Sequence, residues 1–429
     1  MKKNRTQTVL ISILMITTLV LSACGGQGSA HIKGNSASSV SSGSASDHSS
    51  QGSGSAETDP SQTPGSSSSG GSDAPANFSA LKKTGSMDRI YAECFAVDYY
   101  EGGFALITIQ DEGRFLLIPE ESSVPSGVPD DVTVLRRNPK NVYLAASSAM
   151  DYFRALGALD HVRLTSTKKE DWSLPEVVNA LESGDMLYTG KYSTPDYEQI
   201  LLEKCEIAIE STMIHHSPKT KEQLELLGIP VLVDRSSYEP HPLGRMEWIR
   251  LYGLLLGCEA QASDFYDRQA ALYDEVRSSL TETAESKKSV AFFYITTGGS
   301  ANVRRPGDYI SRMIELAGGE YIFSYLTGDG ASASATQTID LETFYAGAKD
   351  ADIMIYSSSI GGEIDTAEQL IKKSALLADC KAVVNGDVWC ADGSLYQQTT
   401  GTADMIREMN LILTGQADAD SLRFFHKVN

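Results

Sequence analysis

The sequence lacks the short motifs that mark several large classes of enzyme. It has no G-x-S-x-G nucleophile elbow, no G-x-x-x-x-G-K-[ST] phosphate loop, no H-E-x-x-H zinc motif and no G-x-G-x-x-G fingerprint. It has only six cysteines, and no two of them are spaced as C-x-x-C, so neither a redox motif nor a zinc site is indicated. These absences favour a binding protein, without catalytic residues, cofactor or metal of its own, over an enzyme.

Basic residues are also scarce, with 36 Lys and Arg against 56 Asp and Glu and a net charge of −20. This balance argues against a nucleic-acid partner and against electrostatic binding to anionic lipid. A membrane connection is indicated instead by the N-terminus, where three basic residues precede an apolar stretch at 9–21 and the sequence LSAC at 21–24. This order resembles a bacterial lipobox and predicts a signal peptide at 1–23 and a lipid on Cys24, which would hold the protein on the extracytoplasmic face of the cell membrane. An uncleaved anchor helix is the alternative.

Apolar residues are rare in the next segment. Residues 24–77 are almost all Ser, Gly, Ala and Thr, which cannot build a core, and we predict a flexible, lipidated tether there. The remaining chain is long enough for two domains. We predict an N-terminal lobe at 78–257 with an added β-meander, a linking helix at 258–287 and a C-terminal lobe at 288–429.

The pattern of apolar residues predicts the elements of these lobes. Short β-rich runs within 95–118 are separated by EGG and DEG, which is typical of a small antiparallel meander. From "VYLAA" at 142–146, strand and helix patterns alternate, and this alternation resumes at "SVAFFYIT" after a long helical region. Such alternation predicts the α/β class, with a mainly parallel sheet in each of two lobes and a cleft between them.

A hairpin is predicted near the C-terminus. The segment "AVVNGDVWC" contains Asn385-Gly386, a common signal for a tight turn between two strands. Cys380 and Cys390 flank this turn, so a disulfide across the hairpin is one alternative. Burial as small apolar residues is the other, and it is also expected for the other cysteines beyond residue 24.

Several segments, in their order and spacing, resemble the ABC-importer substrate-binding lipoproteins for iron–siderophores, haem and cobalamin. They are "ASSAMDYFRALGALDHV", "YEQILLEKCEIAIE" and "ELLGIPVLV" in the first lobe, and "MIELAGGEYIF", "IDLETFYAGAKDADIMI" and "LADCKAVVNGDVW" in the second. The resemblance covers about residues 86–415. It implies two Rossmann-like lobes joined by one long α-helix, with the ligand held by strand-end loops. It also implies a monomer that delivers a ferric siderophore, or a similar metal chelate or tetrapyrrole, to an ABC permease and its ATPase.

An internal repeat places one glutamate in each lobe. "TPDYEQILLEKCEIAIEST" and "TIDLETFYAGAKDADIMIYSS" both begin a helix with Asp-x-Glu, so Glu198 and Glu342 match. Thr194 and Asp340 are the expected N-caps. The family presents one glutamate per lobe to the permease, and the resemblance implies this docking role for both residues. A favourable interaction with the helix dipole is the alternative.

Ligand contacts are expected in the loops that follow the strands. Guanidinium groups bind anions bidentately, and tyrosine rings offer flat apolar walls. Ion pairs with Glu239, Asp308 or Glu363 are the alternative for the arginines. Trp248 is the weakest candidate for an aromatic wall, because it lies in a helical pattern for which the core is the alternative. The candidate ligand-binding residues are Ser147, Ser148, His215, His216, Arg235, Tyr238, His241, Arg245, Tyr294, Arg304, Arg305 and Tyr396.

The histidines allow a second interpretation. His215 and His216 directly follow a predicted strand, and His241 lies in another loop of the same lobe. Together with an acid such as Glu210 they could hold bare zinc or manganese, although their spacing is not that of a metal motif. Contact of one histidine with an organic or metal–organic ligand is the main prediction, and a bare-metal receptor is the alternative.

Overall fold

The computed structural model describes residues 77–280, 287–326 and 335–429. These residues belong to one compact unit that begins at Ser72. The predicted signal peptide, Cys24 and nearly all of the predicted tether lie outside the described residues. Within the described ranges, no helix has both the length and the apolar character that crossing a membrane requires.

The first sheet contains the predicted meander. Three consecutive strands at 95–118 pair antiparallel, and their inward side chains are apolar, such as Phe95, which packs its ring 5.1 Å from the ring of Trp248. Trp248 is fully buried, as expected for a core residue. A fifth strand lies parallel to the fourth, which the sequence analysis did not predict. The strands follow one another across the sheet as Lys83–Ser86 (β1), Phe95–Tyr100 (β2), Ala105–Ile109 (β3), Gly113–Ile118 (β4) and Val132–Arg136 (β5).

Two buried glutamates join the meander to the helix that follows the first lobe. The Glu247 carboxylate accepts hydrogen bonds from the backbone N–H groups of residues 90–92 at 2.8 to 3.1 Å. Glu239 accepts from the N–H groups of residues 93 and 94 at 2.7 and 3.0 Å, and from Trp248 Nε1 at 2.7 Å. These bonds offset the cost of burying the two carboxylates. Glu239 therefore binds backbone amides and the indole, and pairs with none of the candidate arginines in the described structure.

The N-terminal lobe is built on a parallel sheet with the strand order β12-β11-β6-β7-β8. Its strands are short and apolar because both faces are covered by helices. The predicted strands and helices of this lobe are all present, and a separate two-stranded ribbon (β9, β10) precedes α3. The elements are Val142–Leu144 (β6), Met150–Ala155 (α1), Val162–Thr165 (β7), Pro175–Ser183 (α2), Leu187–Tyr188 (β8), Gly190–Lys191 (β9), Thr194–Pro195 (β10), Tyr197–Leu202 (α3), Ala208–Ser211 (β11), Pro218–Leu226 (α4) and Val231–Asp234 (β12).

Two helices follow this lobe: Pro242–Leu256 (α5) and Glu259–Ser279 (α6). Gly257, at φ 74°, ends the first of them in the left-handed conformation that favours glycine. The two helices pack closely at Gly253, where an added methyl group would lie 2.3 Å from the Cβ of Ala262. The second is the long helix of the interval predicted to link the lobes.

The C-terminal lobe has a sheet with the order β16-β14-β13-β17-β18-β19, and β15 also pairs with β13. The central strands are parallel, while β14, β16 and β19 are antiparallel. The fold is thus the predicted α/β class. The elements are Ser289–Ile295 (β13), Ala301–Arg304 (β14), Tyr309–Leu316 (α7), Glu320–Tyr321 (β15), Thr336–Ile339 (β16), Leu341–Ala348 (α8), Ile353–Ser357 (β17), Ser358–Gly361 (α9), Ala367–Lys373 (α10), Lys381–Asn385 (α11), Val388–Ala391 (β18), Thr402–Thr414 (α12) and Phe425–Lys427 (β19).

The predicted hairpin at Asn385-Gly386 is wrong. Asn385 ends helix α11, and Gly386 caps it at φ 70°, so the Asn-Gly pair stops a helix and only one strand follows. Cys380 and Cys390 are both buried and both free, so the disulfide alternative is also wrong. Their burial agrees with the expectation of small apolar residues.

Candidate functional site

The carboxyl ends of the strands in the two lobes face each other. Residues 393–401, which we call the interlobe loop, follow β18 of the C-terminal lobe and contact loops that follow β6 and β7 of the N-terminal lobe. Thr399 Oγ1 donates to the backbone carbonyl of Ser148 at 2.9 Å. The side-chain amide of Gln397 accepts from the N–H of Ser173 and donates to the carbonyl of Asp171, both at 2.8 Å. The space between these strand ends is the cleft in which this fold class places ligands.

A buried carboxylate strengthens this connection. Asp151, in the first turn of α1, is fully buried and accepts hydrogen bonds from the N–H and hydroxyl groups of Thr400 at 2.7 and 2.6 Å. Its other oxygen accepts from Arg154 Nε at 2.6 Å. Charge-assisted bonds in a buried site are strong, so these contacts fix the orientation of the interlobe loop relative to α1.

A pocket of about 180 Å³ lies in the C-terminal lobe, over strands β13 and β14 and beside Tyr396 of the interlobe loop. Its walls are mainly aromatic and aliphatic, with a few polar groups, a composition typical of small-molecule sites. Three of the predicted ligand-binding residues come together here. The lining residues are Phe292, Phe293, Tyr294, Asn302, Val303, Arg304, Thr336, Ile360 and Tyr396.

Arg304 is the charged group of this pocket. Its guanidinium lies 4.7 Å from the ring centre of Tyr396 and 5.8 Å from that of Tyr309, and it pairs with Asp308 at 3.5 Å. Burial alone would lower the pKa of Arg304, but Tyr396 and Asp308 outweigh it and the pKa lies above its ordinary value. The ion pair with Asp308, expected as an alternative, is therefore present, and the aromatic contacts accompany it.

Arg245 reaches the same region from α5. Its Nη2 donates to the backbone carbonyl of Tyr396 at 3.3 Å and to Thr399 Oγ1 at 3.1 Å. Its guanidinium lies 4.4 Å from the ring centre of Tyr309, which places Tyr309 between Arg245 and Arg304. Arg245 is buried, and within the described residues it makes no ion pair. Two cations and one paired acid thus stand beside the pocket.

A second charged group, which we call the rim cluster, consists of Asp111, Glu112, His215 and Arg235. Glu112 Oε1 lies 2.9 Å from His215 Nε2 and 3.5 Å from Arg235 Nη1, and Asp111 Oδ2 lies 3.3 Å from the same nitrogen. The two acids come from the turn between β3 and β4 of the meander. The two predicted residues, His215 and Arg235, are therefore paired with acids that the sequence analysis did not identify.

Four other candidates lie around this edge without a shared centre. Tyr238 is largely exposed, with its ring beneath the guanidinium of Arg235 at 5.3 Å and its hydroxyl 3.2 Å from Thr212. Ser147 and Ser148 are half-buried at the end of β6. Arg305 donates through Nε to the carbonyl of Thr336 at 3.4 Å, and it does not line the pocket that contains Arg304.

The histidines do not assemble into a metal site. His241 caps α5 through a hydrogen bond from Leu243 N–H at 3.1 Å, and its ring stacks on Tyr91 at 4.3 Å. Among the residues that the structure describes, one set of three potential metal ligands has its atoms within 4.8 Å of one another, and it contains none of His215, His216 or His241: it is Glu363, Asp365 and His426. The structure does not support the bare-metal alternative, since His215 contacts Glu112 while His241 contacts Leu243 and Tyr91, and the expected ligands share no centre.

Burial lowers the pKa of His241 to about 4, with a smaller contribution from Arg312. The ring is therefore neutral near pH 7. This agrees with its role as a hydrogen-bond acceptor at the start of a helix.

Glu210, the acid considered for the metal alternative, is also isolated. It lies on β11, it is fully buried, and neither carboxylate oxygen has a hydrogen-bond partner among the described residues. Burial raises its pKa to about 8. A protonated, uncharged carboxyl group is therefore the form that this environment favours near neutral pH.

The two matched glutamates occupy the same position of corresponding helices. Glu198 and Glu342 are exposed in the first turns of α3 and α8. Asp340 caps α8, as predicted, by accepting from Thr343 N–H at 2.8 Å. The cap of α3 is Asp196 and the predicted Thr194 cap is wrong, because the helix begins two residues later than expected.

Several site residues were missed by the sequence analysis. Tyr309 lies in a predicted helix, which is correct, but its ring also separates the two arginines. Asn302 and Ile360 line the pocket from a strand and a short helix that carry no motif. The acidic turn at 111–112 predicts only a loop within the meander. Only its acidic character could have suggested a partner among the arginines.

Comparison with known proteins agrees with this architecture. The sequence profile of a family described as periplasmic binding protein matches residues 143–395, more than half of the chain. An uncharacterised lipoprotein of Methanocaldococcus jannaschii is 26% identical over 269 residues, which are 61% of this chain and 61% of that protein. The chain thus matches less than two thirds of the length of this relative.

Two solved structures show the same fold at low identity. The periplasmic haem-binding protein of Vibrio cholerae aligns with a TM-score of 0.51 and 19% identity, over 62% of this chain and 97% of that one. The petrobactin-binding protein of Bacillus subtilis aligns with a TM-score of 0.51 and 15% identity, over 65% of this chain and 93% of that one.

Proposed function

The chain belongs to the periplasmic binding protein family, and from that premise we propose that it is the lipid-anchored, extracytoplasmic substrate-binding component of an ABC importer. It captures a small ligand in the cleft between its lobes and delivers it to the permease and its ATPase. No bond chemistry is required for this role, and the polar groups of the cleft serve as ligand contacts. The protein acts as a monomer.

The pocket beside Arg304 is the observation that carries this proposal. It combines a buried guanidinium with the rings of Tyr294 and Tyr396 and with apolar walls. A charged group on a rigid aromatic support favours a flat or aromatic ligand that bears an anionic group. Its position beside the interlobe loop, which contacts the N-terminal lobe, is that expected of a ligand site.

The ligand class follows from this chemistry. We propose a ferric siderophore or a similar metal chelate or tetrapyrrole, because such ligands combine planar or aromatic parts with negative charge. The haem and petrobactin named for the two solved structures supply two classes to test. The pocket of about 180 Å³ is below the roughly 300–1,000 Å³ of most small-molecule sites, so it takes one edge of the ligand while the rest lies in the cleft.

The proposed partners contact other parts of the chain. A lipid on Cys24 holds the protein at the membrane, and the segment to residue 77 tethers the lobes. Glu198 and Glu342 are exposed on corresponding helices, one in each lobe, and we propose that they contact the permease. Arginines are the expected partners, since they bind carboxylates bidentately.

A titration of the full chain in detergent tests this function. The metal content and absorption spectrum of the purified protein are recorded first. Intrinsic fluorescence is then titrated with a ferric tris-catecholate, a ferric tris-hydroxamate, haemin and cobalamin, and separately with Zn²⁺ and Mn²⁺. We expect saturable quenching by at least one chelate, with a binding free energy of roughly −8 to −12 kcal/mol.

Two outcomes would contradict the proposal. One is the absence of saturable binding for all four chelates. The other is stoichiometric zinc or manganese that is lost in the variants His215→Ala or His216→Ala, which would restore the bare-metal alternative. The variant Arg304→Met tests the pocket, and Arg305→Met is its matched control, because Arg305 follows Arg304 directly but does not line the pocket.

A further inference from the structure

The turn between β3 and β4 belongs to the meander but ends at the rim of the cleft. Glu112 in this turn has only 2% of its side chain exposed, and its carboxylate contacts both His215 and Arg235. Asp111 stands beside it in the left-handed conformation, at φ 59°, and contacts Arg235 as well. Two acids of one element are thus directed at two cationic or potentially cationic side chains of another.

The contacted residues face the cleft. His215 and Arg235 follow strands β11 and β12, which lie beside β6 in one parallel sheet. The carboxyl ends of parallel strands share one edge of a sheet. The loop after β6 is bonded to the interlobe loop through Ser148, so this edge is the one that faces the C-terminal lobe.

The cations of the cleft are therefore neutralised to different degrees. Arg235 has two acids within 3.5 Å. Arg304 has one, at 3.5 Å, and Arg245 makes no ion pair with a described residue. The direct contacts of Arg245 are instead neutral groups, the ring of Tyr309 and two oxygens of the interlobe loop, while Asp234 and Asp308 act on it without forming an ion pair. The remaining positive charge is concentrated on the side of the pocket.

We propose that Glu112 is a specificity-determining residue of the cleft. Resting on the proposed function, this inference states that Glu112, which also contacts His215, cancels the positive charge of Arg235 at the rim. The anionic groups of the ligand are thereby directed to Arg304 and Arg245. The meander thus supplies one wall of the binding site, and that wall repels anions.

The variant Glu112→Gln tests this role, because it keeps the size and the acceptor oxygen of the side chain but removes its charge. Binding is measured with two ferric chelates of similar size, an anionic tris-catecholate and a neutral tris-hydroxamate. For the anionic chelate we expect an affinity increase of about fivefold, because the variant removes one negative charge whose repulsion of the chelate is partly screened by solvent. For the neutral chelate we expect a change of less than about twofold, and the increase should shrink at high salt.

Matched variants separate a local effect from a general one. Glu101→Gln removes the same charge from an exposed position of the meander and should leave both affinities unchanged. Asp111→Asn removes the second acid of the rim cluster at a position where asparagine tolerates the positive φ, and it should give a smaller increase of the same sign. If Glu112→Gln does not fold, Asp111→Asn carries the test.

The outcomes are distinguishable. Selective strengthening of the anionic chelate in Glu112→Gln, absent in Glu101→Gln, supports the inference. Equal changes for both chelates, or no difference from Glu101→Gln, overturn the inference while the proposed function stands. A wild-type protein that binds none of the four chelates overturns the proposed function, and with it the inference that rests on it.

Discussion

Arg304 keeps its charge inside a wall of aromatic and aliphatic side chains. A buried guanidinium loses the hydration that it has in water, and here Tyr396, Tyr309 and Asp308 replace part of it. Asp308 pairs directly with Arg304 only, and it and Asp234 act on Arg245 without forming an ion pair, so an incoming anionic group can still contact the Arg304 guanidinium in a site of low polarity. Replacement of a single residue, Arg304, should therefore change the strength of that contact.

The variant Arg304→Met should weaken binding of an anionic chelate by at least about tenfold, since it removes a charge-assisted contact worth about 1.5–3 kcal/mol. Methionine preserves most of the apolar volume but leaves the buried Asp308 without its ion pair, so folding of the variant is checked by circular dichroism before the titration. The same titration as for the wild type measures the change. An unaltered affinity in Arg304→Met, or an equal loss in the control Arg305→Met, would exclude Arg304 as the anion contact.

Glu210 should make stability depend on pH. Its folded-state pKa is about 8, raised by burial above the ordinary 4.5. The stability from its neutral form is complete below about pH 4.5, and it is lost as the pH rises through 8, because the unfolded chain releases the proton first. Glu210→Gln should therefore match the wild type near pH 4.5 and be more stable by about 1–3 kcal/mol at pH 8.

Urea denaturation at pH 4.5, 6 and 8 measures this difference. The control is Glu222→Gln, an exposed glutamate on α4 that should behave like the wild type at each pH. A stability difference between Glu210→Gln and the wild type that is constant with pH would show that Glu210 is not neutral in the folded protein.

Among the secondary-structure elements, those with a local signal were predictable from the sequence. The segments KEQLELLG and IPVLVD form α4 and β12 because their apolar spacing is set within a few residues. The hairpin at 385–386 was not predictable in this way, since Asn-Gly provides positive φ for a turn and for a helix cap alike. Only the packing of α11 decides between them.

The candidate site was predictable to a similar extent. Tyr294, Arg304 and Tyr396 were expected at strand ends, and the pocket brings them together. The pairing of Glu112 with His215 joins residues 103 positions apart and depends on how the meander packs on the lobe. No short-range pattern contains that information, so the sequence identified the cations of the rim but not the acids that cancel them.

Glu247 is one of the two side chains that attach the meander. Glu247 accepts from three consecutive backbone N–H groups, so Glu247→Gln should leave at least one of them unpaired and replace charge-assisted bonds by weaker ones. We expect a loss of about 2–4 kcal/mol in the free energy of unfolding, measured by urea denaturation. Glu275→Gln, on the exposed face of α6, is the control and should change stability by less than about 0.5 kcal/mol. A loss as small as that of the control would contradict the role assigned to Glu247.

At the scale of the whole molecule, the interlobe loop and the helices α5 and α6 connect the lobes at several points. Thr399, Thr400 and Gln397 bond to the N-terminal lobe while their own loop belongs to the C-terminal lobe. A wide opening would break these bonds together. We therefore expect modest movements of the lobes on ligand binding, and the outer surfaces of the lobes then keep a fixed spacing for a partner.

Transport should depend on that spacing through the two matched glutamates. Reversal of both charges, Glu198→Lys with Glu342→Lys, should abolish uptake of a bound chelate, because lysines repel the arginines proposed on the permease. Affinity in the fluorescence titration should stay within about twofold of the wild type, since both residues lie in exposed first turns of helices. Glu222→Lys with Glu275→Lys applies the same charge change elsewhere and should permit uptake. Lost ligand affinity in the first double variant would refute a role confined to docking.

The two carboxylates that hold residues 90–94 accept from five consecutive backbone N–H groups, and Glu239 also bonds the side chain of Cys94. Hydrogen bonds to backbone N–H groups do not depend on the side chain of the donor residue, except that proline has no N–H to donate. The exposed residues Ile90 and Glu93 can therefore vary without loss of these bonds, provided that glutamates stay at 239 and 247, whereas Tyr91 is also held by the stacked ring of His241 and Ala92 and Cys94 are buried in the core. A different turn between β3 and β4, with the same attachment of the meander, would then give the protein a new cleft wall. Its preference for ligand charge would change without redesign of either lobe.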